Sequence, residues 1–380
     1  MPLISRQRGP IAVYGATGYT GRLVAAELAG AKADFILSGR SEGKLRALAG
    51  ELERDVPVQA AQLDDPRSLR ALLSDCAVVI DCAGPFVRYG EPVLRAAVET
   101  STHYLDTTGE QPYIRMAFER YGPGAAEAEV AVIPAMGFDF APGDMIAALT
   151  AEGMGEVDEV VIAYAWSGLE PSRGTMLTTL EILGGGAVEW RKLQWLPAER
   201  PFGPARFEFP EPIGRQRMVS YPSGEQITVP RHVPTRRVRT LLTASTFAPH
   251  PRLAPLLQLL ARPTGLALRT PLKRALRAAV SRLPEGPDPE QRGAARYTIV
   301  CDVIRGEKRR RGIFRGRDTY GVTAAMVTRG ALTAASSGFH GSGALAPAQA
   351  FEPRSFLKDL DRYEIEWEVE GTERREPVRV

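Results

Sequence analysis

The sequence predicts an α/β protein: a parallel-sheet domain first, then a second α+β domain built on a largely antiparallel sheet. Three observations carry this reading. From Ile11 to about Met145, short β-branched or apolar runs alternate with helix-like segments, the pattern of repeated βαβ units. Beyond Ala151 that alternation stops, and Val157 to Trp166 and Arg296 to Arg305 read as alternating strands of a second sheet. At 380 residues the chain also exceeds the size at which one core keeps growing, so more than one domain is expected.

In the first domain, strands are expected at Ile11 to Tyr14, Phe35 to Ser38, Val56 to Leu63, Ala77 to Asp81, His103 to Asp106 and Val130 to Ile133. Helices fill the intervals. Leu45, Leu48 and Leu52 follow helical spacing behind a Ser41 cap, and Asp65-Pro66 supplies an N-cap with proline in the first turn. Eight prolines between Pro197 and Pro234 argue against long regular elements there and for loops or a lid. The domains are placed at 1–150 and 151–330, with a segment 331–380 returning to the first domain and a charged, frayed tail after Glu370.

Composition narrows the class. With 44% hydrophobic and 24% charged residues the chain is neither disordered nor fibrous, and a net charge of +3 makes no case for nucleic-acid binding. Cys76, Cys82 and Cys301 lack metal-ligand spacing and are odd in number, so neither a zinc site nor a disulfide framework is indicated. A reducing compartment fits. Met1 to Pro10 leaves no room for a signal peptide, and no run approaches the ~20 apolar residues of a membrane span. A cytoplasmic location is expected, with peripheral membrane contact left open.

The chemistry enters at Gly15-Ala16-Thr17-Gly18-Tyr19-Thr20-Gly21, which directly follows an apolar strand and opens a helix read at Arg22 to Leu28. Backbone N–H groups at a helix N-terminus point outward unsatisfied, and glycine lets a diphosphate approach with no Cβ in the way. Gly15 is assigned the tight turn, Gly18 the close approach, and Gly21 the packing of helix on strand. The context makes this a Rossmann dinucleotide-binding domain.

The second strand ends in Ser38-Gly39-Arg40-Ser41, where an NAD enzyme would place a carboxylate for the ribose hydroxyls. Arg40 instead offers a guanidinium to a 2′-phosphate and a plane to stack on adenine, which favours NADPH; Glu42 nearby keeps NAD open. Asp64 ends the third strand, either in reach of the adenine amino group or as a helix cap. Cys82-Ala83-Gly84-Pro85 follows the fourth strand, small enough for its backbone to pass close to a ribose. Cys82 reads as a small buried hydrophobe, since no basic partner lies near it in sequence.

GATGYTGR at 15–22, SGRSEGKL at 38–45, CAGPFVRYGEPV at 82–93, HYLDTTGE at 103–110 and PAMGFDFAPGDM at 134–145 together resemble the saccharopine dehydrogenase-like oxidoreductases, and within them the branch that includes the trans-acting enoyl reductases. The resemblance covers the first 145 residues and fades afterwards, with echoes at Asp318-Thr319-Tyr320 and Gly341 to Phe351. It implies NADPH and hydride transfer, to the C=C bond of an enoyl polyketide or lipid-like chain, possibly carrier-bound, or to the C=N bond of an imine. The chain departs from the family at Phe140-Ala141-Pro142-Gly143, where relatives have serines, and at Arg173-Gly174-Thr175, where many have GGT. Both regions would face the substrate.

An enoyl thioester would require donors to stabilise charge on its carbonyl oxygen and a proton for the α-carbon. The candidates after the strand ends are Arg88 and Tyr89, then Thr107, Thr108 and Glu110, then Asp139, each equally readable as a cap or loop bond. Tyr89 leads because a phenol donates both a hydrogen bond and a proton. His103 reads as structural, while His232, His250 and His340 form no cluster, so no metal site or Ser-His-Asp arrangement is expected. The basic amphipathic stretch 252–282 would either face solvent over an apolar core or dock on an acidic carrier protein or an anionic membrane. An NADPH-binding sensor or scaffold without turnover is the reading outside catalysis.

Overall fold

Four consecutive apolar residues with no polar alternation make a strand covered on both faces, and β1 (Ile11–Tyr14) is wholly buried. The computed structural model describes residues 7–182, 187–198, 205–246, 272–360 and 363–370. The expected basic stretch over 252–271 and the tail after Glu370 lie outside these residues. The chain divides into two compact units, Met1–Ala141 with Tyr320–Glu352 and Pro142–Thr319 with Pro353–Val380.

In the first unit β1 is followed by α1 (Tyr19–Gly30), β2 (Phe35–Gly39), α2 (Glu42–Glu51), β3 (Val58–Ala60), α3 (Pro66–Leu73), β4 (Val78–Asp81), α4 (Phe86–Glu99), β5 (His103–Asp106), α5 (Gln111–Met116), a π-helical turn (Ala117–Tyr121), α6 (Gly122–Glu127) and β6 (Ala131–Ile133). With β15 (Gly343–Ala344) these strands form one parallel sheet, ordered β15-β6-β5-β4-β1-β2-β3. The order reverses between β1 and β4, which is the topological switch point of a doubly wound fold. Leu69, Leu72 and Leu73 of α3, Val93, Leu94 and Ala97 of α4, and Tyr113 of α5 pack as one core with Ala12, Val79 and Tyr104 of the sheet.

Most expected strands fall where the apolar runs stand, and the third is shorter than Val56 to Leu63. β3 ends the sheet order, paired with β2, and by Gln62 the chain has turned away, its N–H donating to Ser68 Oγ at 2.9 Å. Asp65 caps α3 by accepting from the Arg67 N–H at 3.0 Å. Ser41 stands at the N-cap of α2 without a side-chain capping bond.

The second unit carries α7 (Ala141–Ala151, opening at the boundary) and a seven-stranded mixed sheet. Its strands are β7 (Glu159–Ser167), β10 (Ala205–Glu208), β11 (Arg215–Ser220), β12 (Val238–Thr243), β13 (Arg296–Arg305), β14 (Lys308–Arg317) and β16 (Glu366–Val369); β8 (Val188–Arg191) and β9 (Gln194–Pro197) form a separate hairpin. The order is β10-β11-β12-β7-β13-β14-β16, antiparallel throughout except for β12 against β7. Among its described residues the proline-rich stretch has only short elements, but its middle is no loose lid. Ser223, Glu225, Gln226 and Thr228 are all buried, and Gln226 bonds the Trp190 N–H and Thr240 Oγ1, each at 3.1 Å.

Of the basic amphipathic stretch, the described part is a helix at Leu272–Val280. Lys273 Nζ pairs with Glu181 at 2.7 Å, while Arg274, Leu276, Arg282 and Leu283 are exposed. Among the described residues no helix is long and apolar enough to cross a membrane.

Candidate functional site

The loops that leave the carboxyl ends of β1, β2, β3 and β4 are tied together by backbone bonds. Ala16 N–H donates to Ser38 O and Ala61 N–H to Gly39 O, both at 3.0 Å, and Cys82 N–H donates to Tyr14 O at 2.9 Å. Gly15 has φ +76°, and a Cβ there would lie 3.0 Å from Ala83 N. A Cβ on Gly21 would collide with Gly15 O and Ala16, so helix α1 sits on the strand end as only glycine allows. At Gly18 a Cβ would meet nothing but Gly15 O, at 3.3 Å, leaving one side of the loop open.

Gly18 is also the N-cap of α1, with no side-chain capping bond and no acidic residue in the first turn. A positive helix end is thereby presented at the switch point, the arrangement that holds a diphosphate. Tyr19 stands at the start of the helix with its ring edge-on to Tyr320 at 5.0 Å, and Thr17 is half-buried beside it. Ser38 is fully buried, its hydroxyl donating to Gln59 O at 2.7 Å. That bond makes Ser38 a strut of the β2 end. Arg40 is exposed, and its carbonyl accepts from Gln62 Nε2 at 2.9 Å, fixing the backbone while the guanidinium extends outward. Asp64 is exposed, and the capping of α3 falls to Asp65.

The β4 and β5 ends hold three buried carboxyls. Asp81 Oδ1 accepts the Ala83 N–H at 2.9 Å, which shapes the Cys82-Ala83-Gly84-Pro85 loop and its cis Gly84-Pro85 bond. Asp106 Oδ1 accepts from the N–H groups of Thr108 and Ala135, both at 2.9 Å, joining the loops after β5 and β6. Glu110 accepts from the Phe86 and Val87 N–H groups, both at 2.8 Å, and so caps α4. Burial pushes the Asp81 carboxyl well above its ordinary value and the Asp106 carboxyl up to about 7. Tyr104 Oη joins this edge, 3.3 Å from Asp81 Oδ2 and 2.8 Å from Tyr113 Oη.

Arg88 and Tyr89 stand exposed on the first turn of α4 beside exposed Val87. Glu110 is withdrawn from the donor candidates, because both its oxygens are held by backbone. Cys82 is half-buried, and desolvation together with Asp81 raises its thiol far above the ordinary range, which suits a small packing residue. Asp139 follows β6 on a segment anchored by the bond from Phe138 N–H to Thr323 Oγ1 at 3.0 Å. Its side chain is exposed, and desolvation pushes its carboxyl up to about 6. His103 accepts the Ala131 N–H on Nδ1 at 2.9 Å, and burial lowers it to about 4, a neutral structural group.

A second polar cluster lies within the other unit, and sequence reasoning missed it. Tyr164 Oη donates to Glu225 Oε1, and a Cβ at Gly143 would collide with both atoms. The next residue, buried Asp144, meets His232 Nε2 at 2.8 Å. Desolvation pushes the Glu225 carboxyl up to about 8. These partners are separated by 61 and 88 positions, so no local pattern announces them. Among the described residues no three His, Cys, Asp or Glu side chains are grouped to hold a metal ion.

Comparison with known proteins agrees with this geometry. Residues 11–133 match the family model of the saccharopine dehydrogenase NADP binding domain, so NADP is the nucleotide of this domain. A trans-acting enoyl reductase of Mycobacterium leprae is 38% identical over 140 residues, 36% of this chain and 34% of the relative. A Mycobacterium tuberculosis protein provisionally named a trans-acting enoyl reductase is 34% identical over 185 residues, 46% of this chain and 44% of its own length. The match therefore spans less than half of these relatives. Saccharopine dehydrogenase (L-Glu forming) from Saccharomyces cerevisiae superposes with a TM-score of 0.60 at 14% identity, covering 95% of this chain and 99% of that one, which shows a shared fold.

Proposed function

We propose that this chain, whose first domain is an NADP-binding domain of the saccharopine dehydrogenase type, is an NADPH-dependent reductase of the C=C bond in an enoyl substrate. The observation that carries the reading is the uncapped start of α1 at the β1/β4 switch point, with Arg40 at the end of the neighbouring strand. The N–H groups of Thr17, Thr20 and Gly21, around the start of α1, would hold the diphosphate, and Arg40 the 2′-phosphate. The backbone of Cys82 to Pro85 would flank the nicotinamide side. When bound, NADPH supplies the hydride.

The chain's own task is then to position the acceptor and handle charge and protons. Arg88 and Tyr89, on the turn that follows the Cys82–Pro85 loop, would donate to a carbonyl oxygen, and Asp139, with its carboxyl pushed up to about 6, would supply or take up a proton close to neutrality. Enoyl reduction is favoured over the alternatives because the named relatives are enoyl reductases. A carrier-bound acyl chain is the substrate form this suggests. Leu276 and Leu283, exposed beside Arg274 and Arg282, are the described residues that support contact with an acidic carrier or an anionic membrane.

The test is NADPH oxidation against a panel of enoyl thioesters, keto acid and amine pairs, and no acceptor. Turnover with the thioesters alone, with the saturated thioester as product, is expected. Turnover only with keto acid and amine would replace the reading with imine reduction, and tight NADPH binding with no turnover would leave a sensor.

A further inference from the structure

Two acids end neighbouring strands of the first sheet. Asp81 closes β4 and Asp106 closes β5, and the parallel register sets them side by side. Side chains at matched positions of paired strands leave the same face of a sheet. Both acids are fully buried. Each commits its Oδ1 to backbone, Asp81 to the Ala83 N–H and Asp106 to the Thr108 and Ala135 N–H groups, all at 2.9 Å. Their second oxygens differ: Asp81 Oδ2 has the Tyr104 hydroxyl at 3.3 Å, whereas Asp106 Oδ2 is buried and, among the described residues, bonded to nothing.

The groups that face the pair are neutral or acidic. Tyr14 on β1, Tyr104 on β5, Tyr113 on α5 and the Cys82 thiol are all kept protonated by burial. Glu110, held by the first amides of α4, adds negative charge, and Asp139 stands exposed on the loop after β6 with its carboxyl pushed up to about 6. Two adjacent carboxyls shielded from water do not both ionise, so one keeps a proton. Burial raises Asp81 further than Asp106, which is pushed up to about 7. Around neutrality the charge therefore settles on Asp106 and the proton stays on Asp81.

A buried carboxylate with one oxygen unbonded is stabilised by any cation brought near it. The nicotinamide ring is such a cation when oxidised and is neutral when reduced. A hydride passed to the acceptor takes both electrons with it and leaves the ring one unit more positive. Protein charge near the ring thus tunes how readily the nucleotide gives up its hydride.

We propose that Asp81 and Asp106 form a buried acid–carboxylate pair that senses the charge of the nicotinamide ring: the ionised pair favours the oxidised ring and makes the bound reduced nucleotide a stronger hydride donor. The inference rests on the NADP-binding reading with the nicotinamide beside the Cys82–Pro85 loop, which Asp81 shapes. It holds whichever bond is reduced.

Dissociation constants of NADP+ and NADPH for the whole chain, measured by calorimetry from pH 6 to 8.5 with no acceptor present, test it. The 2′-phosphate titrates alike in both nucleotides and cancels in their ratio. At the acid end the pair is largely neutral and indifferent to the ring; as Asp106 ionises, the oxidised form gains. The constant for NADPH divided by that for NADP+ should therefore rise at least about threefold across the window. Asp106→Asn keeps an oxygen for the Thr108 and Ala135 N–H groups but loses the charge, and its ratio should stay flat.

A flat ratio in the unmodified protein overturns the proposal, and so does a rise that survives in Asp106→Asn still able to bind NADPH, whichever other acid then carries it. The first comparison needs no variant, so it decides even where Asp106→Asn does not fold. Binding of both nucleotides with a flat ratio removes this inference alone, whereas binding of neither removes the NADP reading and this inference with it.

Discussion

In the proposed site Arg40 is the residue that would set nucleotide choice. Its backbone is pinned by Gln62 and its side chain is exposed, so Arg40→Ala removes a charge-assisted partner without disturbing packing. Loss of a bidentate guanidinium to phosphate contact predicts NADPH binding weakened by about 10- to 100-fold and NADH binding changed less than about threefold. Titration of nicotinamide fluorescence with each nucleotide measures both. Glu225 makes a different prediction. Its folded-state value of about 8 lies above the ordinary 4.5, so across that window the folded chain holds a proton that the unfolded chain has released. Its contribution to stability is complete below about 4.5 and is lost as pH rises through about 8. Glu225→Gln, a mimic of the protonated acid facing Tyr164, Ser223 and Asp144, should flatten that decline. Urea midpoints at pH 5.5, 7 and 8.5 would show it, and parallel curves for variant and parent would contradict it.

At the same scale, some site residues were legible in the sequence and others were not, for a physical reason. Gly15 and Gly21 announce themselves because a left-handed φ and a helix seated on a strand end exclude side chains, and both demands are local. Asp81, Asp106 and Glu110 do not. Glu110 binds amides 24 and 23 positions away, so from sequence alone it looks like any loop acid that could donate or accept. Only the sheet order, which sets β4 beside β5, turns it into a cap.

Among the elements, β1, β4 and β6 of the first sheet were readable because they are buried on both faces and hence largely apolar, whereas β3 is only half-buried and its bounds were not. The second sheet was readable at β7 and β13, where alternation is long. β12 was hidden in a proline-rich context, and its parallel pairing with β7 follows the helical segment, buried over 223–229, that returns the chain. Arg311 shows how β14 is locked to its neighbours. Its guanidinium forms two bonds of 2.7 Å to Asp302 on β13, donates to Glu208 O at 3.0 Å and lies over the Phe207 ring. Asp302→Ala leaves that cation largely buried without its carboxylate and should cost about 3 kcal/mol, against about 0–1 kcal/mol for removing an exposed pair such as Arg46 with Glu42. Denaturant midpoints of the two variants provide the comparison.

For the molecule as a whole, a nucleotide that binds only the folded first unit should raise its apparent stability. At 100 times the dissociation constant the gain is about 2.7 kcal/mol, and NADPH should shift the melting transition more than NADH at equal concentration. A calorimetric scan would resolve whether the shift belongs to one of two transitions, as expected if the nucleotide contacts one unit. No shift with either nucleotide would remove the cofactor assignment. The division of the chain into two cores was foreseeable from length and from the change of period near Ala151. The interleaving of the units was less so, because two-residue β15 and four-residue β16 carry too little pattern to show which sheet each joins.

That interleaving bears on how the polypeptide matures. The first unit draws in Tyr320–Glu352, including the strand that borders β6, and the second draws in Pro353–Val380. As the ribosome releases the chain from its N-terminal end, the nucleotide-binding sheet must wait, one edge unfinished, through nearly 180 residues belonging to the other unit. A gene cut after residue 150 would encode a sheet with that border permanently open, so the nucleotide-binding half is not a module to be lifted out and grafted elsewhere.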